Sequence, residues 1–449
     1  MLLAHRIRLE PSPDQRDYFA RAAGIARRVW NWALAEWQRQ VALGLRPNAM
    51  ALKKRFNNIK YSDPDWLDEH GQPWLHTIHR DAHAQPFANL AKAWTRYVEQ
   101  RRAGQPAHPP RFKKKGRCRD SFYLANDKFR MEGIAVVLPK LGRVLLREPL
   151  RWAGKIMGAS VSRQADHWYL SVQVEVSEQL AMRSRTGDAM IGIDLGVTAA
   201  ATLSSGERIL APRPLKAALR RLRIRTRRQS RKLKAAKQVS GITGPMPKGT
   251  RLPVSKNRTK GALSLARLHE RIAQVRADFT HKLTTRLCRE NQTVVIEDLN
   301  VHGMLANHKL ARAIADVGFH TIRRQMQDKS ARYGTRIVLA DRWYPSSKLC
   351  SRCAARNGEL TLGERVWTCA ACGIRHDRDV NAAVNLQRLA TGALVARPAL
   401  PEASQAVTPG TATGAVPAAG GEVTPVRDEH GQQDGSGQEE YAAYVCARF

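Results

Sequence analysis

The chain has 449 residues, 43% of them hydrophobic, enough to bury a large core in about two to four structural units. Lys and Arg number 75 against 39 Asp and Glu, a formal charge of +36 that either repels itself or is neutralised by a polyanion; nucleic acid is the default partner and an anionic membrane the second. No stretch approaches the roughly 20 apolar residues that span hydrocarbon, and MLLAHRIRLEPSP is charged too early for a signal peptide, so membrane insertion is excluded and a cytoplasmic location is expected.

Leu3, His5, Ile7 and Leu9 alternate with Ala4, Arg6 and Arg8, which predicts a strand ending at Pro11. Ser12, Pro13 and Gln15 form a capping-box start, after which Phe19, Ala23, Ala26, Trp30, Ala33 and Trp37 recur at helical spacing. A second helix is predicted from near Pro86 through Phe87, Leu90, Trp94 and Val98 to Gly104, making a small helical unit of residues 10 to about 105. Trp30, Trp32, Trp37 and Trp94 read as its core rather than as base-stacking platforms. His76, His79 and His83, bracketed by Pro73 and Pro86, read as polar surface rather than a metal-binding face. PPRFKKKGRCR is then a basic loop, and alternating runs at 134–138, 144–146, 155–163 and 167–176 predict a small antiparallel sheet or barrel, which the first strand is expected to join.

From residue 188 the pattern becomes α/β. IGIDLGVTAAATL is a buried strand followed by a hairpin. Two long helices should follow: no acid occurs between Glu207 and Glu270, twelve basic residues fall within 213–237, and Leu265, Leu268, Ile272, Val275, Phe279, Leu283 and Leu287 mark an amphipathic face after a loop at 239–261. TVVIEDL (293–299) and RIVLAD (336–341) read as strands around a helix at 309–332, and DRDVNAAVNLQRLA as a short final helix. Residues 391–449, rich in Ala, Gly, Pro, Thr and Gln, are expected to be disordered; they carry three Arg and seven acids, so the excess positive charge belongs to the preceding body.

Seven cysteines is an odd number, and four lie within residues 350–372 as Cys350-Ser-Arg-Cys353 and Cys369-Ala-Ala-Cys372, fifteen residues apart. That spacing suits four thiolates around one structural Zn²⁺, with no open position for catalysis, in a reducing compartment. The acids are equally informative. Asp194 interrupts an apolar strand, where an unpaired carboxylate costs several kcal/mol, and Glu297 does the same in TVVIEDL. Asp379 stands at the start of the last helix, where the helix N-terminus alone accounts for a carboxylate. No GxxxxGK[ST], HExxH or GxSxG occurs, nor the HxH pair of single-strand transposases.

LARLHERIAQVRADFTHKL, VVIEDLNVHGML, NHKLARAIADVGFHTIRRQM, YPSSKLCSRC and CGIRHDRDVNAAVNL, together with PSPDQRDYFARAAGIARRVWNWAL and PRFKKKG, resemble the TnpB (OrfB) proteins of insertion sequences, relatives of type V CRISPR effectors. The likeness runs to about residue 390. One departure is Ala354, where the family's first knuckle usually continues with glycine. The resemblance implies an α/β multidomain fold: a RuvC-like, RNase H-like mixed sheet with an inserted zinc ribbon, plus a wedge-like β-barrel carrying a helical recognition insertion. The implied division is 1–9 first barrel strand, 10–108 recognition insertion, 109–180 barrel, 181–342 nuclease core, 343–376 zinc ribbon, 377–390 final nuclease segment and 391–449 disordered tail. Asp194, Glu297 and Asp379 would hold catalytic Mg²⁺ for hydrolysis by water, leaving 5′-phosphate and 3′-hydroxyl ends, while Asp377 would cap the helix. The implied partners are a guide RNA from the element's end and target double-stranded DNA read beside a short adjacent motif. Lys113, Lys114, Lys115, Arg117, Arg119, Arg220, Arg221, Arg225, Arg228, Arg231 and Lys232 are the expected phosphate contacts. The competing readings are a DNA-binding regulator that cuts nothing and a structure-selective resolvase that needs no RNA.

Overall fold

The computed structural model describes residues 1–247, 250, 252–361 and 363–391; the expected disordered tail from 392 onward lies outside them. In chain order the elements are β1 (Leu2–Glu10), α1 (Pro13–Ala42), α2 (Ala49–Ile59), α3 (Asp81–Arg102), β2 (Ser121–Ala125), β3 (Arg130–Glu132), β4 (Ala135–Leu138), β5 (Gly142–Leu146), β6 (Lys155–Gln164), β7 (His167–Glu175) and α4 (Glu178–Ala181). They continue with β8 (Ala189–Asp194), β9 (Ala201–Leu203), β10 (Arg208–Ile209), α5 (Pro214–Val239), α6 (Lys256–Glu290), β11 (Asn291–Glu297), α7 (Val301–Ala306), α8 (Ala311–Val317) and α9 (Phe319–Tyr333). The last are β12 (Arg336–Ala340), β13 (Val366–Thr368), β14 (Arg375–Asp377) and α10 (Arg378–Ala390). The chain divides into two units: residues 1–186, 212–289 and 320–335 form the first, and 187–211, 290–319 and 336 onward the second. No helix of the described residues is long and apolar enough to cross a membrane.

The first unit is built on a seven-stranded antiparallel sheet ordered β2-β6-β7-β1-β5-β4-β3, with β2 and β3 at its edges. β1 lies inside it, Ile7 opposite Leu170 and Leu9 opposite Trp168, so the strand that opens the chain is completed only by strands that follow the helices. Ser12 and Gln15 cap α1 reciprocally, and the α1 face that carries Phe19 meets Phe122 and Trp168 at ring distances of 5.8 and 5.2 Å. Phe56 of α2 is fully buried against Trp66 and Phe87, and Trp37 stacks on Trp94, so the helical tryptophans are core. The expectation of a polar histidine surface is corrected for two of the three: His76 is exposed, but His79 and His83 are buried, His79 between the Tyr18 hydroxyl and the Tyr123 carbonyl, and burial drives the His83 imidazole down to about 3.

Three elements depart from the sequence expectation. α3 begins at Asp81 and holds Pro86 inside it; Asp81 is itself anchored by accepting from the Ala125 N–H at 2.8 Å. α6 begins at Lys256, inside the stretch read as a loop, and carries Gly261 within it; Ser255 just before it accepts from the Thr259 N–H through its carbonyl at 2.9 Å. The helix expected over 309–332 is split at Gly318, whose φ of 79° ends α8.

The second unit carries a five-stranded mixed sheet ordered β10-β9-β8-β11-β12, in which β8, β11 and β12 run parallel and β9 antiparallel to β8. α10 lies directly on β8. Their closeness is set by Gly192: a Cβ at that position would sit 1.9 Å from the Ala383 carbonyl oxygen and 2.4 Å from the Gln387 nitrogen. The contact is reinforced by Gln387, which donates to the Met190 carbonyl at 2.7 Å. Gly192→Val should therefore force strand and helix apart and cost about 3 kcal/mol, read as a fall in the thermal midpoint with early hydrogen exchange in α10; unchanged exchange would show that the contact is dispensable.

Candidate metal centre and basic surfaces

Parallel pairing sets Ile193 of β8 opposite Ile296 of β11, so Asp194 and Glu297 follow at the carboxyl ends of neighbouring strands, where open α/β sheets place ligands. α10, seated on Gly192, supplies Asp379 from its first turn. Asp194 feels the other two acids. Burial pushes the Asp194 carboxyl up to about 8, the charges of Glu297 and Asp379 add to the rise, and Arg378 and Arg365 oppose it. Burial also raises Glu297, against the hydrogen bond that Ser346 Oγ donates to its Oε1 at 2.7 Å. Arg365 Nη1 donates to Asp379 Oδ1 at 3.1 Å. Desolvated carboxylate oxygens are the donors that a hard divalent cation takes; in this structure Arg365 and Arg378 supply the positive charge, and the three carboxylates do not form a group with all ligand atoms within 4.8 Å of one another.

The neighbouring acids are occupied otherwise. Asp298 receives Arg342 Nη2 at 2.9 Å. Asp377 is the N-cap of α10, accepting from the Val380 N–H at 3.0 Å and pairing with Arg208; burial raises its carboxyl, but these two partners bring it below the usual range.

The four cysteines converge as their spacing requires. Cys350 and Cys372 Sγ are 3.6 Å apart, as are Cys353 and Cys369, and all four lie within 4.8 Å of one another. Tetrahedral Zn–S bonds of about 2.3 Å place sulfurs about 3.8 Å apart, so the cluster is consistent with a structural zinc. His376 Nε2 stands 3.0 Å from Cys350 Sγ and its ring packs on Trp367. Asn381 and Asn385, one turn apart on α10, both donate to the Leu349 carbonyl at 2.7 Å, tying the first knuckle to the helix that bears Asp379. Ala354 adopts φ 63°, the left-handed conformation that glycine tolerates. Ala354→Gly should accordingly stabilise the ribbon by about 1 kcal/mol, visible as slower metal loss to a chelator; faster loss would refute the strain.

A second group of close ligand atoms among the described residues, Asp166, His167 and Glu270, is already satisfied. Arg267 grips both oxygens of Asp166, and Glu270 accepts from Tyr169 Oη at 2.9 Å beside His167 Nδ1, which clamps α6 to β7.

The basic residues divide into exposed and engaged. Lys114, Lys115, Arg117 and Arg119 are exposed, although Arg119 also donates to Ser162 Oγ. Lys113 turns inward instead: its ammonium lies 3.9 Å from the Trp30 ring centre, its backbone is clasped by Asn31, and burial lowers its affinity for a proton. The expectation of Lys113 as a free phosphate contact is corrected to a strut of the core. On α5, Arg220, Arg221, Arg228 and Arg231 are exposed, whereas Arg225 donates to the Ser264 carbonyl and Lys232 to that of Asn257. A cleft of about 430 Å³ opens between α5 and α6, lined by Arg225, Lys260, Arg267 and Arg271.

Ser346, Arg365 and His376 went unseen in the sequence. The only signal available was adjacency: SS before the first knuckle, and a histidine just before DRD.

Fold and site together define a mixed α/β multidomain protein with an acid-lined sheet edge and a four-thiolate ribbon. Profiles of three families match it: OrfB_IS605, described as a probable transposase, over residues 171–308; the Cas12f1-like TNB domain over 319–386; and the OrfB_IS605 helix-turn-helix domain over 1–45, which here folds as β1 and the single helix α1. A Streptomyces pristinaespiralis protein named as an RNA-guided DNA endonuclease is 34% identical, covering 85% of this chain and 88% of the relative. Similarly named proteins of Mycobacterium tuberculosis (31%, 86% of both chains) and Escherichia coli (28%, 86% and 91%) also match. A solved Cas12f1–guide RNA–target DNA complex is 13% identical with a TM-score of 0.47, covering 84% of this chain and 83% of that one. The chain belongs to the TnpB (OrfB, IS605-type) family.

Proposed function

We propose that this protein is an RNA-guided DNA endonuclease whose second unit is an RuvC-like nuclease core. The observation that carries the reading is that β8, β11 and α10 deliver three half-buried acids, Asp194, Glu297 and Asp379, to one sheet edge, where the charges of the latter two add to the burial that raises the Asp194 carboxyl. Mg²⁺ bound by these acids would supply Lewis-acid stabilisation of charge on the phosphodiester oxygens and lower the pKa of the attacking water. Ser346 fixes the Glu297 carboxylate, and Arg365 holds Asp379 until a ligand competes for that oxygen. Zinc in the ribbon has no position open for chemistry; its part is to hold the knuckles, and through Asn381 and Asn385 the start of α10.

The family likeness divides the chain into a first barrel strand (1–9), a recognition insertion (10–108), a wedge-like barrel (109–180), a nuclease core (181–342) and the ribbon (343–376); of that core, residues 212–289 and 320–335 pack with the first unit, and the sheet that bears the acids lies in the second. The exposed cations of residues 114–119 and of α5, with the α5–α6 cleft, supply the phosphate contacts for guide RNA and heteroduplex.

The test is to produce the protein with its flanking noncoding locus, sequence the RNA that co-purifies, and incubate the complex with guide-matched duplex DNA in Mg²⁺ or EDTA. Mg²⁺-dependent cutting that follows the guide supports the reading. Bound RNA and DNA without cutting would indicate a regulator, and cutting of branched DNA after RNase treatment a resolvase.

A further inference from the structure

Nine of the ten tryptophans are buried or half-buried, but Trp343 is 85% exposed. Its backbone is nonetheless fixed: its N–H donates to Asp341 Oδ1 at 2.8 Å, and the Tyr344 N–H donates to the Asp341 carbonyl at 3.0 Å. The residues around it are pinned to the acid site. Arg342 binds Asp298 directly after Glu297, Tyr344 Oη donates to the Asn385 carbonyl, and Ser346 binds Glu297 itself. A rigid loop thus holds a large apolar plane in water within three residues of a contact to the Glu297 carboxylate.

The surroundings restrict what could cover it. From Asp341 to Ser346 no other large apolar side chain is exposed, so within its loop the indole stands alone and offers one flat face to a single planar ligand. Acids that hold cations for phosphodiester hydrolysis place a strand at this edge, and the bases flanking a phosphate drawn into such a site lose their stacking neighbours. An indole face replaces that stacking for any base, because every base has a π-face.

We propose that Trp343 is a stacking platform for a nucleobase next to the scissile phosphate of the DNA strand being cut. This rests on the nuclease reading above and adds a positioning residue to it: Trp343 orders the strand, while Asp194, Glu297 and Asp379 face the reacting atoms.

The test uses the full chain with its co-purified guide RNA. Asp194→Ala is introduced to stop cutting, and 2-aminopurine is placed at successive positions of each target-DNA strand. Fluorescence should be quenched at one or two adjacent positions, restored by Trp343→Ala and kept quenched by Trp343→Phe. With Asp194 intact, Trp343→Ala should lower kcat/KM for cleavage by about 5- to 100-fold with guide RNA retention unchanged, and Trp343→Phe should recover most of the loss. Fluorescence indifferent to Trp343→Ala, or quenching only when the probe is in the guide RNA, overturns the proposal. A wild-type complex that cuts while Trp343→Ala changes neither readout sinks the stacking alone; a wild-type complex that cuts no DNA sinks the nuclease reading and this inference with it.

Discussion

Asp194→Asn is expected to abolish cleavage, by at least about 10³-fold, and at the same time to make the metal-free protein more stable. The two effects have one origin. Burial first, then Glu297 and Asp379, lift the Asp194 carboxyl to about 8 from an ordinary 3.8. The folded chain therefore keeps a proton that the unfolded chain releases. Stability from this group is fully present below about pH 4 and lost as pH rises through about 8. Asparagine carries no charge to desolvate or repel, so its advantage grows from about pH 4 upward and levels off near pH 8 in the absence of divalent ions. Thermal melts of both proteins from pH 5 to 8.5 in EDTA provide the measurement. Parallel curves would mean that neither burial nor the neighbouring acids hold the Asp194 carboxyl above its ordinary range, and the electrostatic case for the proposed cation site would fail with it.

The other large effect is expected from the ribbon. Structural zinc contributes about 10–16 kcal/mol to folding of small domains, so Cys350→Ser or exhaustive chelation should unfold the ribbon rather than loosen it. The consequence should reach Asp379. Leu349, whose carbonyl is held by Asn381 and Asn385, directly precedes Cys350, and β14 runs without interruption into α10. Cleavage should be lost, while the antiparallel sheet and helices of the first unit keep their protection from hydrogen exchange. A chelated protein that still cuts at the wild-type rate would separate the ribbon from the catalytic helix.

Much of this was legible beforehand where a local rule applied. The cysteine spacing is a near-complete description of its site, because two CxxC pairs leave the thiolates little choice but to converge. Asp194 and Glu297 stood out because each interrupts an apolar run, but nothing in their spacing said that β8 and β11 are neighbours; that came from the family likeness, as did the preference for Glu297 over Asp298 and Asp379 over Asp377. All four acids have partners in the structure, Asp298 with Arg342, Asp377 with the helix it caps, Glu297 with Ser346 and Asp379 with Arg365, so the choice within each pair still rests on the family likeness. Ser346 and Arg365 escaped notice because a single serine or arginine has no periodicity, and their partners are 49 and 14 residues away. Gly192 drew no reading from the sequence, because its missing side chain matters only to α10, much later in the chain, which packs against it. Lys113 misled for the opposite reason: a run of lysines reads as a charged surface, and only Trp30 and Asn31, far back on α1, single one out for the interior.

The two strands that present Asp194 and Glu297 lie side by side, yet between them the chain makes the whole α5–α6 excursion, and the third acid waits until after the ribbon. On the ribosome the three acids therefore emerge in well-separated instalments: β8 gains its parallel neighbour only after residue 297 and its covering helix only as synthesis nears residue 390. Any cation site that the three acids form is thus complete only after α10 has been made.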